Sequence, residues 1–155
     1  MEIKISFDVF ENWTQLSEQE QELIQKAIEI SGTAYAKYSD FKVGASILLE
    51  NGEIILGSNQ ENIAYPSGMC AERTALFYSG SQFPDVKIRL LVVYGAGDLL
   101  PNSSPVPPCG SCRQVIAESI KRQGSGFGLI LVGKNGRALK FENALDLLPL
   151  PFGIH

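Results

Sequence analysis

One run governs what this chain can fold into. From Ile88 to Tyr94 the sequence is apolar at every position except Arg89 and shows no alternation. A strand of that kind is buried on both faces, so the sheet that contains it carries helices on two sides. The flanking segments have to supply those helices and the remaining strands.

Ser17-Glu18-Gln19-Glu20 reads as a capping box, in which the Ser17 hydroxyl and the Glu20 carboxylate each satisfy an unpaired N–H at a helix start. Leu23, Ile24, Ala27, Ile28 and Ala34 then recur at roughly helical spacing, which predicts an amphipathic helix over 18–37, weakened in its last third by Gly32. The β-rich runs Phe41 to Leu49 and Glu53 to Gly57 flank Asn51-Gly52, a dipeptide suited to the positive φ of a tight hairpin turn. A second helix is predicted over 69–79, a loop rich in Gly, Pro, Ser and Asn over 95–108, and a third helix over 109–121. Phe127 to Val132 and Arg137 to Phe141 flank Asn135-Gly136 as a second hairpin, and a weaker helical segment, 142–148, precedes the Pro-rich end. This order predicts an α/β fold, a three-layer α/β/α sandwich on a mixed sheet of about five strands.

At 155 residues, 45% of them hydrophobic, the chain suits a single domain over 1–155, in which residues 1–16 form an extension readable as an added strand or an arm. A net charge of -4 with both signs interspersed gives no footprint for DNA, RNA or an acidic membrane, so a small neutral substrate fits better. No stretch approaches the roughly 20 apolar residues of a membrane span, and Met1 to Trp13 lacks the apolar core of an export signal. The expected compartment is the cytoplasm.

The three cysteines are an odd number and poor material for a disulfide framework. Cys70 stands in Cys70-Ala71-Glu72-Arg73, whereas Cys109 and Cys112 form a C-x-x-C pair after Pro107-Pro108. All three fall at predicted helix starts, where unpaired N–H groups and the helix dipole favour thiolate over thiol. Zinc accepts thiolates in a tetrahedron, and three protein ligands leave the fourth position open for chemistry. The spare soft ligand, His155, is the terminal residue and reads as a bland one. A lone C-x-x-C is as readily a redox pair or half of a structural zinc site. Glu72, two residues after a ligand, tips the balance because it stands where a general acid/base is needed. Arg73 has an ordinary alternative as a surface ion-pair partner, but three thiolates around Zn²⁺ leave excess negative charge that a nearby cation would offset.

Cys70-Ala71-Glu72 together with Pro108-Cys109-Gly110-Ser111-Cys112-Arg113-Gln114 resembles the cysteine-ligand form of the zinc deaminase signature. More narrowly, the chain resembles the small homotetrameric cytidine deaminases. The further motifs are Tyr38-Ser39-x-Phe41-x-Val43-Gly44-Ala45, Gly57-x-Asn59-x-Glu61-Asn62, Tyr65-Pro66 and the ending Leu148-Pro149-x-x-Phe152-Gly153. The resemblance implies that Asn59 and Glu61 bond the ribose, that Phe41 packs on the base and that the Ala71 N–H contacts the pyrimidine O2. It also implies that Tyr65 and Phe152 reach a neighbouring subunit's pocket in a homotetramer with shared sites. Pro107 stands where the family usually has serine. A backbone carbonyl acting on the leaving ammonia survives that change, whereas a hydroxyl role does not.

The implied reaction is hydrolytic deamination of cytidine and 2'-deoxycytidine in pyrimidine salvage, with Zn²⁺ as cofactor and Glu72 moving protons to N3 and the departing amine. The rival readings are a deaminase of a related nucleoside or base analogue, such as a blasticidin-type enzyme, and a non-catalytic zinc-stabilised or redox module.

Overall fold

A computed structural model describes residues 2–98 and 104–153. His155 lies outside them, as do residues 99–103 of the predicted loop. The described chain runs β1 (Asp8–Phe10), α1 (Glu18–Ser31), β2 (Lys42–Leu49), β3 (Ile54–Ser58), α2 (Ala71–Gln82), β4 (Ile88–Ala96), α3 (Gly110–Gln123), β5 (Gly128–Gly133) and β6 (Ala138–Phe141). Short 3-10 turns occupy Trp13–Gln15, Tyr65–Ser67 and Ala144–Leu147, the last where a weak helix is predicted.

All six strands form one sheet in the order β1-β6-β5-β4-β2-β3, one strand more than the five that the sequence indicates. The extra strand is β1, which pairs antiparallel with β6 from Asp8 opposite Lys140 to Phe10 opposite Ala138. Only β4 and β5 run parallel, and α3 is the crossover such a pair requires. β4 is central and its side chains divide as expected: Leu91 and Val93 join the core beneath α2 and α3, and Val92 joins the core beneath α1.

The capping box at Ser17 is present, with the Glu20 N–H donating to Ser17 Oγ at 3.4 Å and the Ser17 N–H donating to Glu20 Oε2 at 3.0 Å. α1 ends at Ser31, short of the predicted residue 37, because Gly32 caps it and the chain turns back. Tyr35 then bridges the strand end beyond β3, its N–H donating to the Asn59 carbonyl at 3.0 Å and its carbonyl accepting from Glu61 N–H at 2.8 Å. Helix and sheet touch backbone to backbone at two glycines. A Cβ on Gly44 would stand 1.9 Å from the Ala27 carbonyl oxygen of α1, and one on Gly57 would stand 2.7 Å from the Ala71 carbonyl oxygen of α2. Gly57 thereby lets the start of α2 lie directly on β3, which fixes Cys70 and Glu72.

Candidate metal centre and active site

Cys70 is the N-cap of α2 and Cys109 the N-cap of α3, both with extended backbone. Their side chains leave from the electropositive ends of two helices. Cys112 lies in the first turn of α3 and is fully buried. The sequence expectation of three cysteines at two helix starts is met. Cys70 Sγ stands 3.8 Å from Cys109 Sγ, Cys109 Sγ stands 3.4 Å from Cys112 Sγ, and all three sulfurs lie within 4.8 Å of one another. Tetrahedral zinc with Zn–S near 2.3 Å places its sulfurs about 3.8 Å apart. The donor set and its spacing fit zinc.

The close sulfurs also perturb one another. A hydrogen bond with Cys112 and the Arg73 guanidinium hold the Cys70 thiol down at about 5, against the pull of burial. The same contact with Cys70, with burial added, pushes the Cys112 thiol above its usual range. Arg73 Nη2 donates to Cys70 Sγ at 3.8 Å, and its buried Nε has no hydrogen-bond partner among the described residues.

Glu72 is only 5% exposed, on the buried face of α2. Burial first, and the neighbouring Cys70 charge second, push its carboxyl up to about 7. A carboxyl poised there exchanges protons near neutrality. Ala71 is the first residue of α2, so its N–H is one of those that no carbonyl within the helix can reach.

The proposed sugar and base contacts gather around one strand end. Asn59 Oδ1 accepts from the Val43 N–H and Asn59 Nδ2 donates to the Phe41 carbonyl, both at 2.8 Å. Half of its amide capacity remains free of these bonds. Glu61 accepts from the Tyr38 N–H at 2.8 Å, from the Ser39 N–H at 3.3 Å and from the Ser39 hydroxyl. Those bonds, the Ser39 hydroxyl foremost, hold the Glu61 carboxyl below its ordinary range. Phe41 is half-buried beside them and packs against the core under α2 and α3. Pro107 is exposed, one residue before the buried Pro108. Tyr65 and Phe152 are 91% and 88% exposed and contribute nothing to their own chain's core.

Two supporting residues lie inside the motifs but have no role assigned from sequence. Ser39 joins Glu61 to the Phe41 backbone, its hydroxyl accepting from the Phe41 N–H at 3.1 Å. Arg113 donates from Nε to the Pro108 carbonyl at 2.8 Å and from Nη1 to the Leu147 carbonyl at 3.0 Å, tying the approach to Cys109 to the C-terminal turn. Their placement within the two most recognisable segments was the available signal. A cleft of about 250 Å³ beside Ser79, Phe83, Lys87 and Arg122 opens at the far ends of α2 and α3 and is separate from the cysteines.

Fold and centre together define a class: an α/β/α sandwich with a three-cysteine zinc centre at the starts of two helices and a buried carboxyl beside it. The chain belongs to the family of the cytidine and deoxycytidylate deaminase zinc-binding region, which matches residues 17–123. It is 45% identical over 98 residues to a cytidine deaminase of Halalkalibacterium halodurans, covering 63% of this chain and 70% of that one. Against a cytidine deaminase of Mycobacterium tuberculosis it is 33% identical over 128 residues, covering 83% and 85%. The crystal structure of cytidine deaminase from Burkholderia pseudomallei superposes with a TM-score of 0.74 at 33% identity, covering 88% of this chain and 100% of that one. Among the described residues no helix is long and apolar enough to cross a membrane.

Proposed function

We propose that the chain is a zinc-dependent cytidine deaminase, which adds water to cytidine or 2'-deoxycytidine and releases ammonia and uridine or 2'-deoxyuridine. The observation that carries this reading is the clustering of three sulfurs at zinc spacing with the buried Glu72 carboxyl on the adjoining turn. Cys70, Cys109 and Cys112 hold the metal. Zinc bound there supplies a Lewis acid that makes water at its open position acidic.

The protein's own groups do the rest. Glu72 takes a proton from the attacking water, delivers it to N3 of the base and then carries the second proton to the departing amine. The unpaired Ala71 N–H donates to the pyrimidine O2, and Phe41 packs on the ring. Asn59 and Glu61 use their remaining donor and acceptor positions on the ribose, while their backbone bonds hold them in place. The Pro107 carbonyl faces the leaving ammonia, and Arg73 offsets the negative charge of the thiolates.

The unit acts as one domain in a homotetramer with shared sites, in which Tyr65 and Phe152 complete the pocket of a neighbour. Their exposure, with that of Ile63 and Leu150, supports this reading, since each is a large apolar side chain left outside its own chain's core and available to a neighbour. The proposed setting is pyrimidine salvage in the cytoplasm, on free nucleosides. Loss of cytidine absorbance in the ultraviolet, followed with and without a chelator, tests the function. Chelator-sensitive turnover is expected, and a zinc-loaded protein with no turnover contradicts the reading.

A further inference from the structure

The approach to Cys109 lies directly on the sheet. Gly95 and Gly133 are in-register partners at the C-terminal ends of the parallel strands β4 and β5. They share the parity of Leu91, Val93, Leu129 and Leu131, so both face the α2 and α3 layer. A Cβ on Gly95 would stand 2.4 Å from Val106 Cγ2 and 3.2 Å from Phe41 Cζ. One on Gly133 would stand 3.0 Å from the Pro105 nitrogen and from the Ser104 carbonyl carbon, and one on Gly97 would stand 2.7 Å from Phe41 Cδ2. The Phe41 ring, the Val106 side chain and the Ser104–Pro105 backbone therefore rest on bare sheet.

We propose that Gly95 and Gly133 form a seat that sets the gap between Phe41 and Cys109, and that Val106 is a positioning residue holding the Phe41 ring at the width a pyrimidine needs. This rests on the reading of Phe41 as the residue packed on the base. The two ends of the gap are anchored separately: Asn59 fixes the backbone on either side of Lys42, and Arg113 fixes the Pro108 carbonyl. Those anchors bond backbone atoms and none of them touches the Phe41 ring. Val106 and Phe41 converge on the same point above Gly95, so a group added there meets both side chains and no cysteine.

The test uses zinc-loaded wild type, Gly95→Ala, Val106→Ala and the double variant. It measures uridine Kd by calorimetry, cytidine KM and kcat, and zinc content. Gly95→Ala is expected to weaken uridine binding and raise KM by about tenfold, with a smaller change in kcat and full zinc content. The double variant is expected to recover part of that loss, because the 2.4 Å overlap with Val106 Cγ2 is relieved while Val106 Cβ remains at 3.0 Å. Wild-type Kd and KM in Gly95→Ala, or a double variant no better than Gly95→Ala, would overturn the inference. If Gly95→Ala does not fold, Val106→Ala decides: weaker uridine binding at full zinc content supports the seat, and unchanged binding refutes it. A wild type that binds no uridine sinks the underlying reading of the site, whereas a binding wild type matched by its variants sinks only this inference.

Discussion

Replacing Arg73 by Gln separates what this side chain does for the metal from what it does for the fold. Its guanidinium donates to Cys70 Sγ at 3.8 Å, while its buried Nε has no partner among the described residues. In the metal-bound state the cation faces three thiolates, and loss of a charge-assisted hydrogen bond there costs about 1.5–3 kcal/mol. Because the same bond is present without metal, only the part that strengthens on binding counts, and zinc affinity is expected to fall by about tenfold, the lower end of the range for residues that stand behind metal ligands. In the metal-free state the same substitution also removes an orphaned buried N–H, which offsets about 1–3 kcal/mol of the loss. Zinc affinity should therefore drop while the metal-free Tm stays within about 4 °C of wild type, the shift expected from about 1 kcal/mol in a chain of this length. Competition against a chromophoric chelator reads the affinity, and thermal melts with chelator present read the fold. Unchanged zinc affinity would refute the argument. A collapse of the metal-free Tm with proportionate zinc loss would show that Arg73 holds the helix start and not the charge.

Three further outcomes follow from other parts of the structure. Lys140 Nζ meets Glu20 Oε1 at 2.8 Å, and although burial pulls the Glu20 carboxyl up, the bonds from Lys140 and Ser17 outweigh it and hold the carboxyl below its ordinary value. A depressed carboxylate stabilises the fold above its unfolded pKa and loses that contribution as pH falls through the lower folded value. Lys140→Met should thus cost about 1 kcal/mol in urea unfolding at pH 7 and progressively less toward pH 3. A deficit that grows with acidity would contradict this. Leu91→Ala, at a fully buried position of the central strand, should lower unfolding free energy by about 2–5 kcal/mol, and a urea midpoint near wild type would count against the two-faced core. Glu61→Gln places an amide N–H₂ where one carboxylate oxygen now accepts from Tyr38 or Ser39. Cytidine KM should rise by about tenfold or more with zinc content unchanged, and an unaltered KM would remove Glu61 from the sugar site.

The parts of the fold that were legible in the sequence are those decided locally. Asn51-Gly52 and Asn135-Gly136 forced their turns because Gly52 and Gly136 take φ of +87° and +91°, with each asparagine Oδ1 accepting from the residue beyond the glycine. Ser17 with Glu20 marked the start of α1 for the same reason. The end of α1 was not legible, because it depends on Tyr35 finding Asn59 and Glu61 across the molecule. Residues 1–16 were readable as either an added strand or an arm, and the choice was not local, because a strand of three residues has its identity from the open edge of β6. At the site, residue types and spacing marked the cysteines and Glu72 as candidates because each lies at a helix start, whereas the meeting of the two helix starts depends on how they pack on the sheet. The supports were hidden: Arg113 reaches Leu147, and Gly95 faces Val106 and Phe41, through contacts that no local pattern encodes.

The central claim is that three cysteines hold zinc while Glu72 moves the protons of cytidine deamination. Its most direct test is turnover of cytidine by Glu72→Gln at measured zinc content. The expected result is wild-type zinc with kcat reduced by roughly 10²- to 10⁴-fold, the scale of a lost general acid/base. Wild-type turnover in that variant would contradict the claim.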